Sequence, residues 1–131
     1  MAAAPLSEGG RRLPRGWRIT RGAEIRAILT RGKRSGTAHL DVFDSASPSS
    51  HPRVGVVVPK HRQTAVARNR VKRRLREILR LEVLPRLERC AVAVDVLVRA
   101  RRGAYAASYA ELRRELAGWT ERRCSGASSC S

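Results

Sequence analysis

Residues 65–84 read AVARNRVKRRLREILRLEVL, and this stretch predicts the longest amphipathic helix of the chain. Its apolar side chains recur at helical spacing on one face, while polar and basic side chains fill the opposite arc. The apolar face holds Ala67, Val71, Leu75, Ile78 and Leu79, and the opposite arc holds Asn69, Arg70, Lys72, Arg73, Arg74, Arg76 and Arg80. Thr64 is a suitable N-cap, and Pro85 is expected to end the helix.

The segments on either side predict a small α+β domain, because helical and strand periodicities alternate along the chain. The predicted elements are a helix at 21–31, strands at 37–43 and 53–58, the helix at 65–84, a strand at 91–98 and a helix at 107–119. The strand at 91–98 is apolar on both faces apart from Asp95, which is typical of a central strand. We interpret Asp95 as a hydrogen-bonded structural residue. The order helix, strands, helix, strand, helix indicates a two-layer sandwich.

The length of 131 residues fits one domain, which we place at residues 13–122. Residues 1–12 and 123–131 are rich in Gly, Ser and Ala, and we expect both ends to be disordered. The three cysteines are widely spaced and lack the dense pattern of a disulfide scaffold, so we expect a reducing cytoplasm. They form no metal-ligand spacing with the histidines, and we predict no metal site in the protein.

The formal net charge is +17, and much of it is concentrated in one segment. Residues 45–76 contain nine basic residues and no carboxylate: Arg53, Lys60, Arg62, Arg68, Arg70, Lys72, Arg73, Arg74 and Arg76. A helix that needs only solubility mixes both signs of charge, so this pattern favours a polyanionic partner. Nucleic acid fits better than a membrane surface, because the apolar helix face lacks aromatic residues. Codon bias is an alternative source of the arginines elsewhere in the chain.

The run VPKHRQTAVARNRVKRRLRE at residues 58–77 resembles the signature of the bacterial ribonuclease P protein subunit family. That signature contains paired basic residues, a short loop, Ala-Val, Arg-Asn-Arg and a Lys-Arg-x-x-Arg-Glu pattern. The segments LPRGWRITRGAEIRAILTRGKR and DVLVRARRGAYAASYAELRREL resemble the beginning and end of the family domain. The resemblance covers residues 13–120.

The resemblance implies an α+β sandwich with a left-handed βαβ crossover and a role in removing the 5′ leader of precursor tRNA. It further implies that the protein is a non-catalytic subunit of this endoribonuclease. The chemistry would belong to the RNA subunit and its Mg²⁺. The partners would be the ribonuclease P RNA and precursor tRNA, with no membrane and no further protein required. The RNA-binding positions it implies are Lys60, His61, Arg68, Asn69, Arg70, Lys72, Arg73 and Arg76.

The leader cleft of the family would correspond to Ile25, Leu29 and Phe43 in this chain. The family usually has two phenylalanines at the first two positions, and here both are aliphatic. Stacking of leader bases should therefore depend on Phe43, which the strand alternation places on the outward face. Ile25 and Leu29 have a second interpretation as ordinary core residues, since any packed helix shows such a pair.

Two other function classes compete with this reading. A ribosomal or other structural RNA-binding protein would carry the same charge, but it would not require the Arg-Asn-Arg motif in this context. A protein-only nuclease would need clustered carboxylates to hold metal ions. The acidic residues here are scattered, and residues 45–76 have none. We therefore predict no catalytic residue in the protein itself.

Overall fold

The computed structural model describes residues 15–130, with side chains described for residues 16–125. Short 3₁₀ turns lie at Arg15–Trp17 and Arg102–Tyr105. The helices are α1 (Gly22–Arg31), α2 (Ala65–Ile78), α3 (Leu84–Arg89) and α4 (Tyr109–Cys130), and the strands are β1 (Lys33–Gly36), β2 (Leu40–Ala46), β3 (Arg53–Val57) and β4 (Val94–Ala100). The α+β class and the predicted order of elements are confirmed.

The four strands form one sheet in the order β1-β2-β4-β3. β2 pairs antiparallel with both β1 and β4, and β3 pairs parallel with β4. The parallel pair needs a crossover connection, and α2 with α3 supplies it. The central position predicted for the strand around Asp95 is confirmed, although β4 begins three residues later than predicted. β1 was not predicted, because KRSG has neither apolar alternation nor β-branched residues.

The sheet is covered on both faces. One face carries the larger core, in which Leu40, Val42 and Val96 meet side chains of α2, α3 and α4. On the other face, Phe43 and Leu97 pack with Ile28 of α1. A two-layer description therefore accounts for the sheet and the three later helices and leaves out α1, whose Ile28 is 5% exposed against the sheet.

α2 and α3 are joined without a break by a π-helical segment, Leu79–Val83. The prediction that Pro85 ends the helix is wrong, because Pro85 lies in the first turn of α3. Proline is tolerated there because it directly follows the wider π turn, where its missing N–H and the crowding of the preceding turn fall on a hydrogen-bond ladder that is already irregular. The wider π turn also changes which side chains face inward. Arg80, predicted on the polar arc, is consequently only 7% exposed.

The last helix is longer than its sequence pattern predicts. α4 runs to Cys130 and so enters the segment 123–131 for which we predicted disorder, whereas Ser131 and the N-terminal segment 1–12 lie outside the described residues. Cys124 is buried against the end of α3 and forms a disulfide with Cys90, which the cysteine spacing did not predict. Packing of the two helices, rather than sequence spacing, brings these cysteines together.

Over residues 15–130 the structure contains no helix that is long and apolar enough to cross a membrane.

We predict that Leu75→Ala lowers the free energy of unfolding by about 3 kcal/mol, because Leu75 is fully buried under α2 and its truncation leaves a cavity. Urea unfolding measures the change. Leu81→Ala is the matched control, because Leu81 is 36% exposed and should lose about 1 kcal/mol or less. Equal losses in the two variants would contradict the assignment of α2 packing as the core interaction.

Candidate nucleic-acid interface

The outward arc of α2 carries the largest group of unpaired positive charges on one described element. Val71, Leu75 and Ile78 are buried against the sheet, so the opposite arc faces away from it. Asn69, Arg70, Arg73 and Arg76 are exposed, and Arg68, Lys72 and Arg74 are partly exposed. These seven residues are the α2 basic face. Within the described part of the chain, none of its six basic side chains forms an ion pair.

The start of α2 is capped as the sequence predicts. Thr64 Oγ1 accepts a hydrogen bond from the backbone N–H of Ala67 at 3.1 Å. The exposed Val66, at 68%, lies in the first helical turn beside the α2 basic face. Arg68 folds back, and its Nε donates to the carbonyl oxygen of Val58 at 3.3 Å. The cap and this bond together fix the position at which α2 starts after β3.

A tight turn at residues 60–63, the basic turn, precedes the helix. The N–H of Gln63 donates to the carbonyl oxygen of Lys60 at 2.7 Å. His61 and Arg62 have φ of 45° and 63°, and two successive left-handed residues define a type I′ turn. Lys60 and Arg62 are exposed, whereas His61 is half-buried and its Nε2 has no hydrogen-bond partner among the described residues.

One of the nine basic residues in the acid-free segment has a structural role instead. Arg53 donates from Nε to Asp95 Oδ1 at 2.9 Å and from Nη2 to Asp95 Oδ2 at 2.6 Å, and Nη2 also reaches Glu24 at 3.2 Å. These bonds to Asp95, against a smaller effect of burial, raise the pKa of Arg53 above its ordinary value. The structural role predicted for Asp95 is confirmed, and Arg53 is not available to a polyanion.

A cavity of about 230 Å³ opens beside the α2 basic face. Ile25 of α1, Val56 of β3 and Arg76 of α2 lie in its wall. Arg18 and Thr20 complete the polar part of the lining, and Arg18 Nε is buried with no hydrogen-bond partner among the described residues. The cavity therefore combines apolar walls with two guanidinium groups, a composition suited to a flat, anionic group such as a nucleotide.

Phe43 is not exposed as predicted. Its exposed fraction is 4%, because α1 covers one side of the ring and Arg99 lies over it, with the guanidinium carbon 5.1 Å from the ring centroid. Leu29 is half-buried in the same small cluster, and Ile25 packs against that cluster while also lining the cavity. The prediction that Phe43 presents its ring to a single strand is therefore wrong. The Arg99 guanidinium forms the surface above the buried Phe43 ring.

Arg99 belongs to a cluster that the sequence analysis missed. Asp41, 4% exposed, accepts hydrogen bonds from Arg34 at 3.1 and 3.2 Å, from Arg99 at 3.0 Å and from Arg101 at 3.1 Å. Burial alone would raise the pKa of Asp41, but the hydrogen bonds from these arginines lower it below its usual value. Asp41 lies between Leu40 and Val42, which is a weaker form of the signal that singled out Asp95, because β2 also contains Asp44.

Comparison with known proteins identifies the family to which the chain belongs. A family model described as Ribonuclease P matches residues 13–123. The ribonuclease P protein component of Micrococcus luteus is 42% identical over 116 residues, which cover 81% of this chain and 86% of that protein. The corresponding protein of Acidothermus cellulolyticus is 39% identical over 107 residues, covering 79% and 84%. The chain belongs to the ribonuclease P protein family.

Solved structures of ribonuclease P proteins have the same fold. The Staphylococcus aureus RNase P protein superposes with a TM-score of 0.66 at 26% identity, over 76% of this chain and 88% of that one. The Thermotoga maritima RNase P protein gives a TM-score of 0.67 at 23% identity, over 80% and 96%. The chain is thus a protein component of ribonuclease P, an endoribonuclease of tRNA processing. Family membership decides against the alternative of a ribosomal or other structural RNA-binding protein.

In this ribonuclease P protein, the predicted site residues fall into two sets that meet at Arg76. The α2 basic face and the basic turn, which supplies Lys60 and His61, are continuous along the chain. Ile25 faces the same cavity as Arg76, which joins the predicted cleft to the basic helix. Leu29 and Phe43 do not line that cavity. Three further arginines lie in the same regions. Arg18 lines the cavity, Arg62 lies in the basic turn, and Arg99 covers the Phe43 ring.

We predict that Asp41→Asn lowers the free energy of unfolding by about 2 kcal/mol at pH 7, because it leaves three arginines around an uncharged group. The folded protein lowers the pKa of Asp41, so the carboxylate stabilises above the unfolded-state value of about 4. This contribution is lost as the pH falls through the lower, folded value. Urea unfolding at pH 7, 5 and 3 measures the difference between variant and parent, which should shrink at the lowest pH.

Asp44→Asn is the control, because burial raises the pKa of Asp44 despite the nearby Arg123 and Lys33. Its charged form is disfavoured in the folded protein, so Asp44→Asn should cost less than Asp41→Asn at pH 7. A larger loss for Asp44→Asn would refute the assignment of Asp41 as the centre of the arginine cluster.

Proposed function

We propose that this protein binds the RNA subunit of ribonuclease P through the α2 basic face and the basic turn. The observation that carries the proposal is a set of six positive charges, without ion-pair partners among the described residues, on the outward arc of a helix whose other face is buried. Arginine forks match the geometry of phosphate oxygens, and Asn69 adds a polar group between two arginines. Release of counterions from the RNA contributes to the affinity.

The charge arrangement has a cost that an RNA partner offsets. Like charges three and four residues apart on a helix destabilise it by a few tenths of a kcal/mol per pair, as for Arg70 with Arg73 and Arg74. The protein keeps this arrangement on α2 while it neutralises arginines elsewhere through Asp41 and Asp95. A surface selected only for solubility would not pair arginines with carboxylates in one region and keep a row of like charges on one helix in another. The contrast supports a phosphate-rich partner for α2.

We further propose that the 5′ leader of precursor tRNA passes from the cavity at Ile25 and Arg76 toward Arg99. Single-stranded bases bind proteins by stacking on flat groups, at about 1–3 kcal/mol per base for aromatic rings. Here the flat group available is the guanidinium of Arg99, whose side chain is 37% exposed above the buried Phe43 ring. Arginine planes also stack on bases, so Arg99 takes the role predicted for Phe43.

We assign Mg²⁺ and the hydrolytic step to the RNA subunit. Mg²⁺ is held by carboxylates, phosphates and water, and residues 45–76 carry no carboxylate. The α2 basic face thus does not suit a dedicated Mg²⁺ site in the protein. The protein's own contribution is to lower phosphate repulsion between RNA subunit and substrate, so that less Mg²⁺ is needed for the same binding.

We place the protein in the cytoplasm, together with precursor tRNA, and propose that it needs no further protein partner. Cys90 and Cys124 form a disulfide in the structure, and a reducing cytoplasm would favour the thiol form of both residues. Their bond lies at the end of α3, roughly 25–30 Å along the helix axis from Arg70 by the rise per residue. The RNA-facing residues are therefore independent of it.

We predict that the protein accelerates 5′ cleavage of precursor tRNA by a bacterial ribonuclease P RNA at low Mg²⁺, where the RNA alone is slow. The physical reason is that its positive charges replace part of the screening by Mg²⁺. Single-turnover cleavage with and without protein measures the gain. No acceleration at any Mg²⁺ concentration would refute the proposed function, and cleavage without added RNA would transfer the chemistry to the protein.

We predict that Arg70→Ala with Arg73→Ala weakens binding to ribonuclease P RNA about ten-fold or more and reduces the slope of log affinity against log salt by about 1.5, because two phosphate contacts are lost. Both side chains are exposed and form no ion pair within the described part of the chain, so the fold should remain intact. Filter binding from low to high salt measures both quantities.

The matched control is Arg89→Ala with Arg122→Ala. It removes the same charge from exposed side chains near the Cys90–Cys124 bond, away from the start of α2. Its effect on RNA affinity should be less than about two-fold at physiological salt, where charges more than about 10 Å away are screened. If both pairs weaken binding equally, the positive charge acts in bulk and the α2 basic face has no special role.

A further inference from the structure

The basic turn adopts a conformation that its residues disfavour. A type I′ turn places both central residues in the left-handed region, where glycine, asparagine and aspartate are preferred. Here His61 and Arg62 occupy these positions, and each carries a Cβ that this backbone conformation crowds. Such strained residues persist only where surrounding contacts hold them, and they are concentrated at functional sites.

Tyr105 supplies the contact that holds this turn from outside. It ends the 3₁₀ turn Arg102–Tyr105, which follows β4, and its hydroxyl donates to the carbonyl oxygen of Pro59 at 2.7 Å. The carbonyl oxygen of Lys60 lies 3.5 Å from the same hydroxyl. The Tyr105 ring also meets the His61 ring edge-on, with centroids 6.2 Å apart. The Tyr105 side chain thus contacts three successive residues, Pro59, Lys60 and His61, where the chain enters the turn.

The turn's exposed side chains are basic. Lys60 and Arg62 are exposed on either side of the half-buried His61, and the chain enters α2 directly after Gln63. Arg62 has no ion-pair partner among the described residues, and Lys60 likewise has none. Relaxation of the turn into a right-handed conformation would redirect both side chains relative to the α2 basic face.

We propose that Tyr105 is a positioning residue for RNA binding: its hydroxyl holds the left-handed turn, so that Lys60 and Arg62 lie in line with the α2 basic face. The proposal rests on the proposed function, because it assumes that this face binds RNA. Tyr105 itself need not touch the RNA. Its effect passes through the backbone of Pro59 and Lys60.

The test uses the full chain and a bacterial ribonuclease P RNA. Tyr105→Phe removes only the hydroxyl and should weaken RNA binding about five-fold, the size expected from one neutral hydrogen bond. The slope of log affinity against log salt should also become slightly shallower, because Lys60 and Arg62 reach the RNA only in the fraction of molecules that keep the left-handed turn. Tyr109→Phe is the control: it removes a hydroxyl from another half-buried tyrosine, on α4, and should leave RNA affinity unchanged.

Repeating the Tyr105→Phe substitution in a second variant of the protein distinguishes a positioning role of Tyr105 from a purely stabilising one. Asparagine tolerates the left-handed region, so His61→Asn makes the turn less dependent on Tyr105. In that background, Tyr105→Phe should weaken RNA binding less than about two-fold. An equal loss in both backgrounds would overturn the proposal, because the hydroxyl would then act by another route. Loss of cooperative unfolding in Tyr105→Phe would also overturn it.

The outcomes distinguish the two proposals. If Arg70→Ala with Arg73→Ala leaves RNA binding unchanged, the proposed function fails and the role of Tyr105 fails with it. If that pair weakens binding while Tyr105→Phe does not, only the positioning role is refuted.

Discussion

The packing of α2 against the sheet is the interaction on which the rest of the structure depends. Val71, Leu75 and Ile78 are almost completely buried, and each such side chain contributes about 1.5–3 kcal/mol by leaving water. Only one rotation of the helix buries all three, so the opposite arc must face outward. The repulsion among its basic residues is a few tenths of a kcal/mol per pair, and burial of the apolar stripe exceeds it. One packing contact therefore fixes both the crossover between β3 and β4 and the direction of the basic face.

The basic residues of the chain fall into two groups, those paired with buried carboxylates and those open to solvent. Around Asp41 and Asp95, arginines are held by buried carboxylates and stabilise the sheet. On α2 they have no acidic partner among the described residues and remain open to solvent. The net charge of +17 therefore does not describe the interface, because some basic residues are paired with carboxylates and others are exposed to solvent. Arg53 illustrates this, since it lies in the acid-free segment and yet belongs to the structural group.

Local patterns predicted the elements that have local causes. The helix at Gly22–Arg31, the Thr64 cap and the central strand around Asp95 follow from spacing, capping chemistry and apolar runs. The errors occurred where long-range contacts, or an irregular turn within a helix, override the local signal. β1 forms by pairing with β2, although its own sequence is polar. The helix continues past Pro85 because the π-helical segment changes its phase, and Phe43 is buried because α1 and Arg99 cover the outward face of its strand.

The sequence by itself determined the family, the α+β order and the basic helix, because each is carried by residues that are neighbours along the chain. Tertiary structure alone decided which basic residues are free and which groups form the cleft. Asp41 meets Arg99 and Arg101 across nearly 60 residues, and Tyr105 reaches Pro59 across 46. Periodicity describes a side chain's direction from its own helix or strand. It carries no information about which side chain of another element will meet it there.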